Sequence, residues 1–161
     1  MRYGSIEKMF MRFCNGLSSE TEWKTLLKTS KIQINRIISS AEKTGPRLIV
    51  EDRGKLAILH PSGPVYNPCY FDIQPGKARF RGEHYHKSKT EVFYVISGSC
   101  MIRYYDLDTA EHGSFGVLEG DMVTILPMCA HRMEAEGFCQ VMEFSLEDVD
   151  YETDTFVYHF E

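Results

Sequence analysis

From Arg47 onward, short runs of β-branched and aromatic residues recur, and Gly, Pro, Asp or Asn separates each run from the next. Many short strands with regular turns are typical of a β-sandwich or a β-barrel. The 161 residues suffice for one domain that buries a core without disulfide staples. The pattern predicts strands at 48–51, 55–60, 69–74, 78–86, 91–97, 100–106, 114–118, 122–126, 131–135, 138–144 and 155–160.

Residues 1–46 differ from the rest and predict a helical extension. Ser19 and Glu22 have the spacing of a capping box. Apolar residues then recur at helical spacing, first as Trp23, Leu26 and Leu27 and later as Ile34, Ile37 and Ile38. Gly45-Pro46 ends the region, because the residue before proline avoids the helical conformation. We therefore divide the chain into a helical N-terminal extension (1–46) and a barrel domain (47–161).

Composition narrows the class of protein. The net charge of -5 argues against a nucleic-acid partner, since phosphate binding needs a basic surface. No apolar run has the length of a membrane span, and no secretory signal is visible at the N-terminus. The five cysteines include no CxxC pair, which makes a disulfide framework or a thiolate zinc cluster a poor interpretation. A reducing cytoplasm is the simplest expectation for such a chain.

Two histidines and a glutamate lie close together in the middle of the chain. His84 and His86 are two residues apart, so on a strand they point to the same side. Glu91 begins the strongly β-prone run that follows, and His131 comes later, after a Gly-Asp turn and a proline. Three imidazoles and one carboxylate can hold a divalent transition metal and leave positions open for water or substrate. We predict a metal site here, for zinc, iron, nickel or manganese.

Further polar residues flank this site. Tyr85 and Lys87 alternate with the histidines and would face away from them on a regular strand, although a bulge can re-aim such side chains. Lys87 and Lys89 lie in a loop from which they could reach a cavity mouth. Arg103 and Tyr105 share one face of the next strand. An inward Arg103 would need an anionic partner, so we predict that Arg103 and Tyr105 bind substrate.

Both parts of the predicted site resemble the two motifs of the cupin superfamily. The first motif is matched by His84, His86, Glu91 and Gly98, and the second by Gly120, Pro127 and His131. Cys129 and Ala135 replace a glycine and an asparagine that the second motif usually has, and neither position is a ligand. The resemblance covers about residues 50–160. It implies an all-β fold, the double-stranded β-helix of the cupin jelly-roll barrel.

Three shorter segments resemble cupins that act on nucleotide-activated sugars. Residues 52–56 are similar to the opening signature of sugar-nucleotide ketoisomerases and epimerases, and residues 154–158 to the closing strand of such RmlC-like domains. Residues 81–84 resemble their Arg-Gly-x-His segment, which implies that Arg81 approaches the phosphates of a bound nucleotide and His84 acts as a base. The metal-free ketoisomerases lack the carboxylate that Glu91 supplies. The metal-binding cupin of a capsular-polysaccharide reductase has a similar ligand set.

These observations favour a metal-dependent isomerase or epimerase whose small-molecule substrate is a sugar or a sugar nucleotide. Glu91, Tyr85 or Lys87 would move a proton next to a carbonyl that the metal polarises. A metal-dependent dioxygenase is an alternative, since cupin-like sites with three histidines and one glutamate also occur in dioxygenases. A non-enzymatic barrel that binds a small molecule is another. We expect a homodimer, because exposed strand edges need covering.

Overall fold

The computed structural model describes residues 23–37, 46–59, 61, 63–75 and 79–161. Nearly all regular structure in this part of the chain is β, and no helix in it has the length and apolarity that crossing a membrane requires. The elements are β1 (Trp23–Lys28), β2 (Ile32–Ile37), β3 (Arg47–Glu51), β4 (Gly54–Ile58), β5 (Tyr66–Ile73), β6 (Phe80–His86), β7 (Glu91–Ser97), β8 (Ser99–Asp106), β9 (His112–Leu118), β10 (Asp121–Ile125), β11 (Cys129–Glu134), β12 (Cys139–Ser145), the helical turn α1 (Tyr151–Asp154) and β13 (Thr155–Val157).

Two large antiparallel sheets form the body of the described structure. One has six strands in the order β1-β2-β10-β7-β12-β5, and the other has five in the order β13-β6-β11-β8-β9. Most neighbours in a sheet are distant in sequence, so the chain passes repeatedly from one sheet to the other. This double-sheet arrangement confirms the predicted all-β jelly roll.

The main core lies between the two sheets. On β8 the burial of side chains alternates strictly, and Cys100, Ile102 and Tyr104 point inward. Burying one aliphatic side chain of this kind stabilises the fold by about 1.5–3 kcal/mol. On β7 both faces are buried, because the outer face packs against a second apolar cluster. The β3–β4 hairpin contributes Leu48 and Ala57 to that second cluster.

The described part of the N-terminal extension forms a β-hairpin, so the predicted helix is wrong for residues 23–37. β2 pairs with β1 on one side and with β10 on the other. Ile34 packs in the core between the sheets, whereas Ile37 packs in the second cluster. Residues three apart lie on opposite faces of a strand, so Ile34 and Ile37 pack in two different clusters. On a helix the same spacing would place both on one face.

The capping box at Ser19 and Glu22, and Ile38 with the segment up to residue 45, lie outside the described residues. The division of the chain at residue 46 stays a prediction.

The turn between β7 and β8 depends on Gly98. Its φ of +80° lies in the left-handed region, and a Cβ at this position would overlap the carbonyl oxygen of Phe138. Glycine is therefore the residue that lets this turn approach the strand connection beside it.

We expect Gly98→Ala to lower the free energy of unfolding by about 2–3 kcal/mol, because a strained backbone conformation alone costs of order 1–3 kcal/mol. Gly63→Ala is the matched control, since no described atom lies near its added Cβ. Urea denaturation of both variants measures the difference. Equal stabilities for the two variants would show that the turn can relax.

Candidate functional site

A cavity of about 660 Å³ opens between the two sheets. This volume lies within the range of small-molecule binding sites. Its apolar wall is formed by Phe71, Phe80, Phe93, Met133 and Val149. Gly82 also lines the cavity. The polar wall is formed by Asn67, Cys69, Arg81, His84, Lys89, Glu91, His131, Glu143 and Tyr151.

The structure brings the four predicted metal ligands together, and three of them, His84, Glu91 and His131, line this cavity. His84 on β6 pairs directly with His131 on β11, and their ring centroids are 4.9 Å apart. Glu91 reaches them from β7 in the opposite sheet, with Oε2 3.1 Å from His131 Nε2 and Oε1 3.1 Å from His86 Nε2. One ligand atom from each of His84, His86 and Glu91 lies within 4.8 Å of the others.

Backbone carbonyls fix the orientation of two of these rings. His86 Nδ1 lies 2.7 Å from the carbonyl oxygen of Asp154, and His131 Nδ1 lies 3.3 Å from that of Cys129. A carbonyl oxygen only accepts, so Nδ1 donates in both rings and Nε2 carries the lone pair when the ring is neutral. Both Nε2 atoms face oxygens of the Glu91 carboxylate. Each contact therefore requires either a second proton on the ring or a cation between nitrogen and oxygen.

His84 supplies a third nitrogen. Within the described residues, its Nε2 is the buried side-chain nitrogen that has no hydrogen-bond partner. Burial, and then the neighbouring His131, lower the pKa of His84 to about 4, so the ring is neutral at pH 7. Buried polar atoms are rarely left unpaired, and a neutral imidazole with a free lone pair is a metal ligand. The donor set fits a divalent transition metal.

The charges around Glu91 offset its burial. Burial alone would raise the pKa of its carboxyl, but His131 and His86, and then Lys89, hold it well below its usual range. Burial also lowers the pKa of His131, whereas the hydrogen bond and the charge of Glu91 outweigh burial at His86 and raise its pKa. Glu91 is consequently a carboxylate, the state that binds a cation.

Lys89 and Glu143 add a buried ion pair to the cavity wall. Lys89 is only 4% exposed, and its Nζ lies 3.0 Å from Glu91 Oε1 and 2.7 Å from Glu143 Oε1. Lys89 thus reaches the cavity, as its loop position allowed. Sequence reasoning missed Glu143 and Tyr151. The sequence did carry one indication of Glu143: it is a charged residue in a largely apolar strand, two residues after Val141 and therefore on the same inward face.

Asp154 holds the loop that carries Lys89. Its carboxylate accepts hydrogen bonds from the backbone N–H groups of Lys87, Ser88 and Lys89 at 3.0–3.2 Å. Its backbone carbonyl accepts the hydrogen bond from His86 described above. One residue beside β13 therefore orients both a candidate ligand and the loop between β6 and β7.

A bulge in β6 turns Arg81 toward the cavity. Gly82 and Glu83 have φ values of +90° and +65°, and the register with β11 shifts at this point. A Cβ on Gly82 would lie 2.7 Å from the carbonyl oxygen of His131, so only glycine fits there. The extra residue reverses the alternation, and Arg81 and His84 both line the cavity. The substrate-binding role of Arg81 stays a prediction.

The other two predicted bases are not part of the cavity wall. Tyr85 stacks on Phe156 with ring centroids 5.3 Å apart, and Lys87 Nζ lies 4.1 Å from the centre of the same ring. Alternation is regular between His84 and His86, so Tyr85 faces the opposite side of β6. The geometry gives the predicted catalytic roles of Tyr85 and Lys87 no support.

Arg103 and Tyr105 also lie outside the cavity wall. Arg103 Nε is 3.5 Å from Glu134 Oε1, and the ring of Tyr105 stacks with those of His112 and Tyr158. Both alternate on β8 with the inward-facing residues of the core. Arg103 finds its anionic partner within the protein, so its position gives no support to the predicted clamp on substrate.

The two-sheet jelly roll is the RmlC-like fold that the sequence motifs suggested. Comparison with protein-family models matches residues 51–155 to the polysaccharide biosynthesis C-terminal domain. Since this match covers more than half of the chain, the protein belongs to that family. No curated protein matches the chain.

Solved structures share this fold at low sequence identity. The 3,4-ketoisomerase QdtA from Thermoanaerobacterium thermosaccharolyticum, in complex with TDP, is 21% identical with a TM-score of 0.61, covering 80% of this chain and 88% of its own. A dTDP-4-dehydrorhamnose 3,5-epimerase from Sulfolobus tokodaii is 15% identical with a TM-score of 0.67, covering 84% and 81%. CapF, with an inhibitor, is 24% identical with a TM-score of 0.51, and the match covers 71% of this chain but 34% of CapF.

We expect Asp154→Ala to speed hydrogen exchange at the amides of residues 87–89 by at least about tenfold. A hydrogen bond to a charged group contributes about 1.5–3 kcal/mol, and 1.4 kcal/mol corresponds to a factor of ten. Hydrogen-exchange NMR on the folded protein measures these amides directly. Asp148→Ala, which removes an exposed carboxylate, should leave them unchanged. Unchanged exchange in Asp154→Ala would mean that other contacts hold the loop.

Proposed function

We propose that the protein is a metal-dependent isomerase or epimerase that acts on a sugar or a sugar nucleotide. The observation that carries the proposal is the convergence of three imidazole nitrogens on the buried Glu91 carboxylate, at the wall of a cavity of about 660 Å³. The similar structures of a 3,4-ketoisomerase and a 3,5-epimerase, which by their names act on sugars, support the reaction class.

His84, His86, Glu91 and His131 would hold the metal, which we infer to be zinc, iron, nickel or manganese. When bound there, the metal supplies a Lewis acid that polarises a carbonyl or hydroxyl oxygen. The carbonyls of Asp154 and Cys129 keep two of the rings in the tautomer whose Nε2 can donate a lone pair. Burial keeps the ring of His84 neutral, and its Nε2 donates a lone pair in the tautomer that is protonated at Nδ1.

The rest of the cavity suits a substrate with an anionic part and a ring. Arg81 is the cation that would meet a phosphate, and its guanidinium lies 5.7 Å from the centre of the Phe71 ring. The rings of Phe80 and Tyr151 offer apolar faces on which a sugar ring can pack. Lys89 adds a second positive charge to the cavity wall. This charge is already paired with the carboxylates of Glu91 and Glu143.

Homodimer formation and a cytoplasmic location remain predictions of this proposal. β1, β5, β9 and β13 are the end strands of the two sheets in the described structure, and such edges are often covered by a partner chain. The dioxygenase and the non-enzymatic binding barrel are the competing outcomes of the experiments below.

We expect protein purified without chelator and without a metal-binding tag to contain about one divalent transition metal per chain, because the four donors form one open site. A His84→Ala/His131→Ala double variant should lose the metal to background level. His112→Ala is the control, since His112 is exposed and lies away from the cavity. Inductively coupled plasma mass spectrometry gives the content. A folded wild type without metal would remove the metal from the proposed mechanism.

We expect the metal-loaded protein to convert TDP- or UDP-linked 4-keto-sugars to an isomer under anaerobic conditions, as followed by NMR. Removing the metal should lower the rate at least about a hundredfold, because a Lewis acid contributes several kcal/mol to the transition state. Zinc should restore the rate. Turnover that requires iron and consumes oxygen would instead indicate the dioxygenase. Binding without turnover under every condition would indicate a non-enzymatic barrel.

A further inference from the structure

The proposed isomerisation needs a residue that transfers a proton. The positions of the predicted bases argue against most of them. Tyr85 and Lys87 do not line the cavity. Glu91 lines it, but contacts from His86, His131 and Lys89 occupy its two oxygens. Among the carboxylates of the described residues, one other lines the cavity, and this is Glu143.

Glu143 is positioned by an inner strand of the six-stranded sheet. β12 lies between β7 and β5 in the six-stranded sheet, and Glu143 pairs with Phe93 on one side and with Cys69 on the other. Both neighbours also line the cavity, so the register directs Glu143 into the same space. A side chain on a central strand is held more precisely than one on a loop.

The surroundings of Glu143 leave it more open than Glu91. Its side chain is 17% exposed, compared with 3% for Glu91. Lys89 Nζ lies 2.7 Å from Glu143 Oε1 and 3.0 Å from Glu91 Oε1. The same ammonium thus links Glu143 to the candidate metal ligand, so the carboxylate lies beside the place where a substrate carbonyl would be polarised.

We propose that Glu143 is the catalytic carboxylate that takes a proton from the carbon next to the carbonyl of a keto-sugar and returns it in the isomer. This inference rests on the proposed function. The C–H bond breaks, an O–H bond forms on Glu143, and the electron pair of the broken bond makes the enolate. Glu143 then returns the proton on the same face to the former carbonyl carbon while the neighbouring hydroxyl proton passes to the former carbonyl oxygen, which gives the isomeric keto-sugar without an oxidant, reductant or co-reactant.

Exchange of substrate hydrogen with solvent tests the role of Glu143. Wild type and Glu143→Gln, both loaded with zinc, are incubated in D₂O with TDP-4-keto-6-deoxyglucose and with its UDP counterpart, and NMR follows deuterium entering beside the carbonyl. We expect exchange to fall about 10²–10⁴-fold in Glu143→Gln, the range that a general base supplies. Metal content and Kd for TDP should stay close to the wild-type values, and the melting temperature should fall only slightly, because Lys89 keeps Glu91 as a partner. Glu119→Gln, an exposed glutamate paired with Lys55, is the matched control.

Chemical rescue separates a base from a structural residue. Glu143→Ala should be inactive alone and should regain exchange when formate is added, because formate can occupy the space and accept the proton. Exchange in Glu143→Gln within threefold of wild type, or no rescue of a folded Glu143→Ala, would overturn the assignment and indicate an imidazole as the base. No exchange by the wild type on either sugar nucleotide would contradict the proposed function itself.

Discussion

A carboxylate that is 2% exposed, Glu91, lies between the two sheets, and the organisation of the cavity follows from the need to offset its charge. An isolated buried carboxylate is very costly, so charged or hydrogen-bonding partners must surround it. Here His86 and His131 do so from the five-stranded sheet, and Lys89 does so from the loop between β6 and β7. The partners are themselves fixed from outside by backbone carbonyls and by Asp154. Residues far apart in sequence are thereby tied to one centre.

The fold, and the clustering of the three histidines with Glu91, could be predicted from the sequence because both depend on local patterns. The spacing of His84 and His86 places two imidazoles on one strand face, and the turn glycine at 98 and the β-prone runs predict closely packed strands. These patterns depend on a period of two residues, which short strands preserve. The convergence with His131 was predicted from the second motif, and the pairing of β6 with β11 provides it.

Features that depend on tertiary context could not be predicted. Ile34 and Ile37 fit a helical face as well as they fit two faces of a strand, and pairing with β10 decides between them. The bulge at Gly82 reverses the direction of Arg81, which alternation alone would place outside. Glu143 was missed because its role depends on its contact with Lys89. The sequence does not show that β12 lies beside the loop that carries Lys89.

The central claim is that the three imidazoles and Glu91 bind one divalent metal. Anomalous X-ray diffraction at the absorption edge of the element found in the purified protein tests this most directly. The account predicts one strong peak per chain, within bonding distance of His84 Nε2, His86 Nε2, His131 Nε2 and a Glu91 oxygen, at about 2.0–2.2 Å. An ordered site without such a peak, in which protonated histidines bond to Glu91 directly, would contradict it.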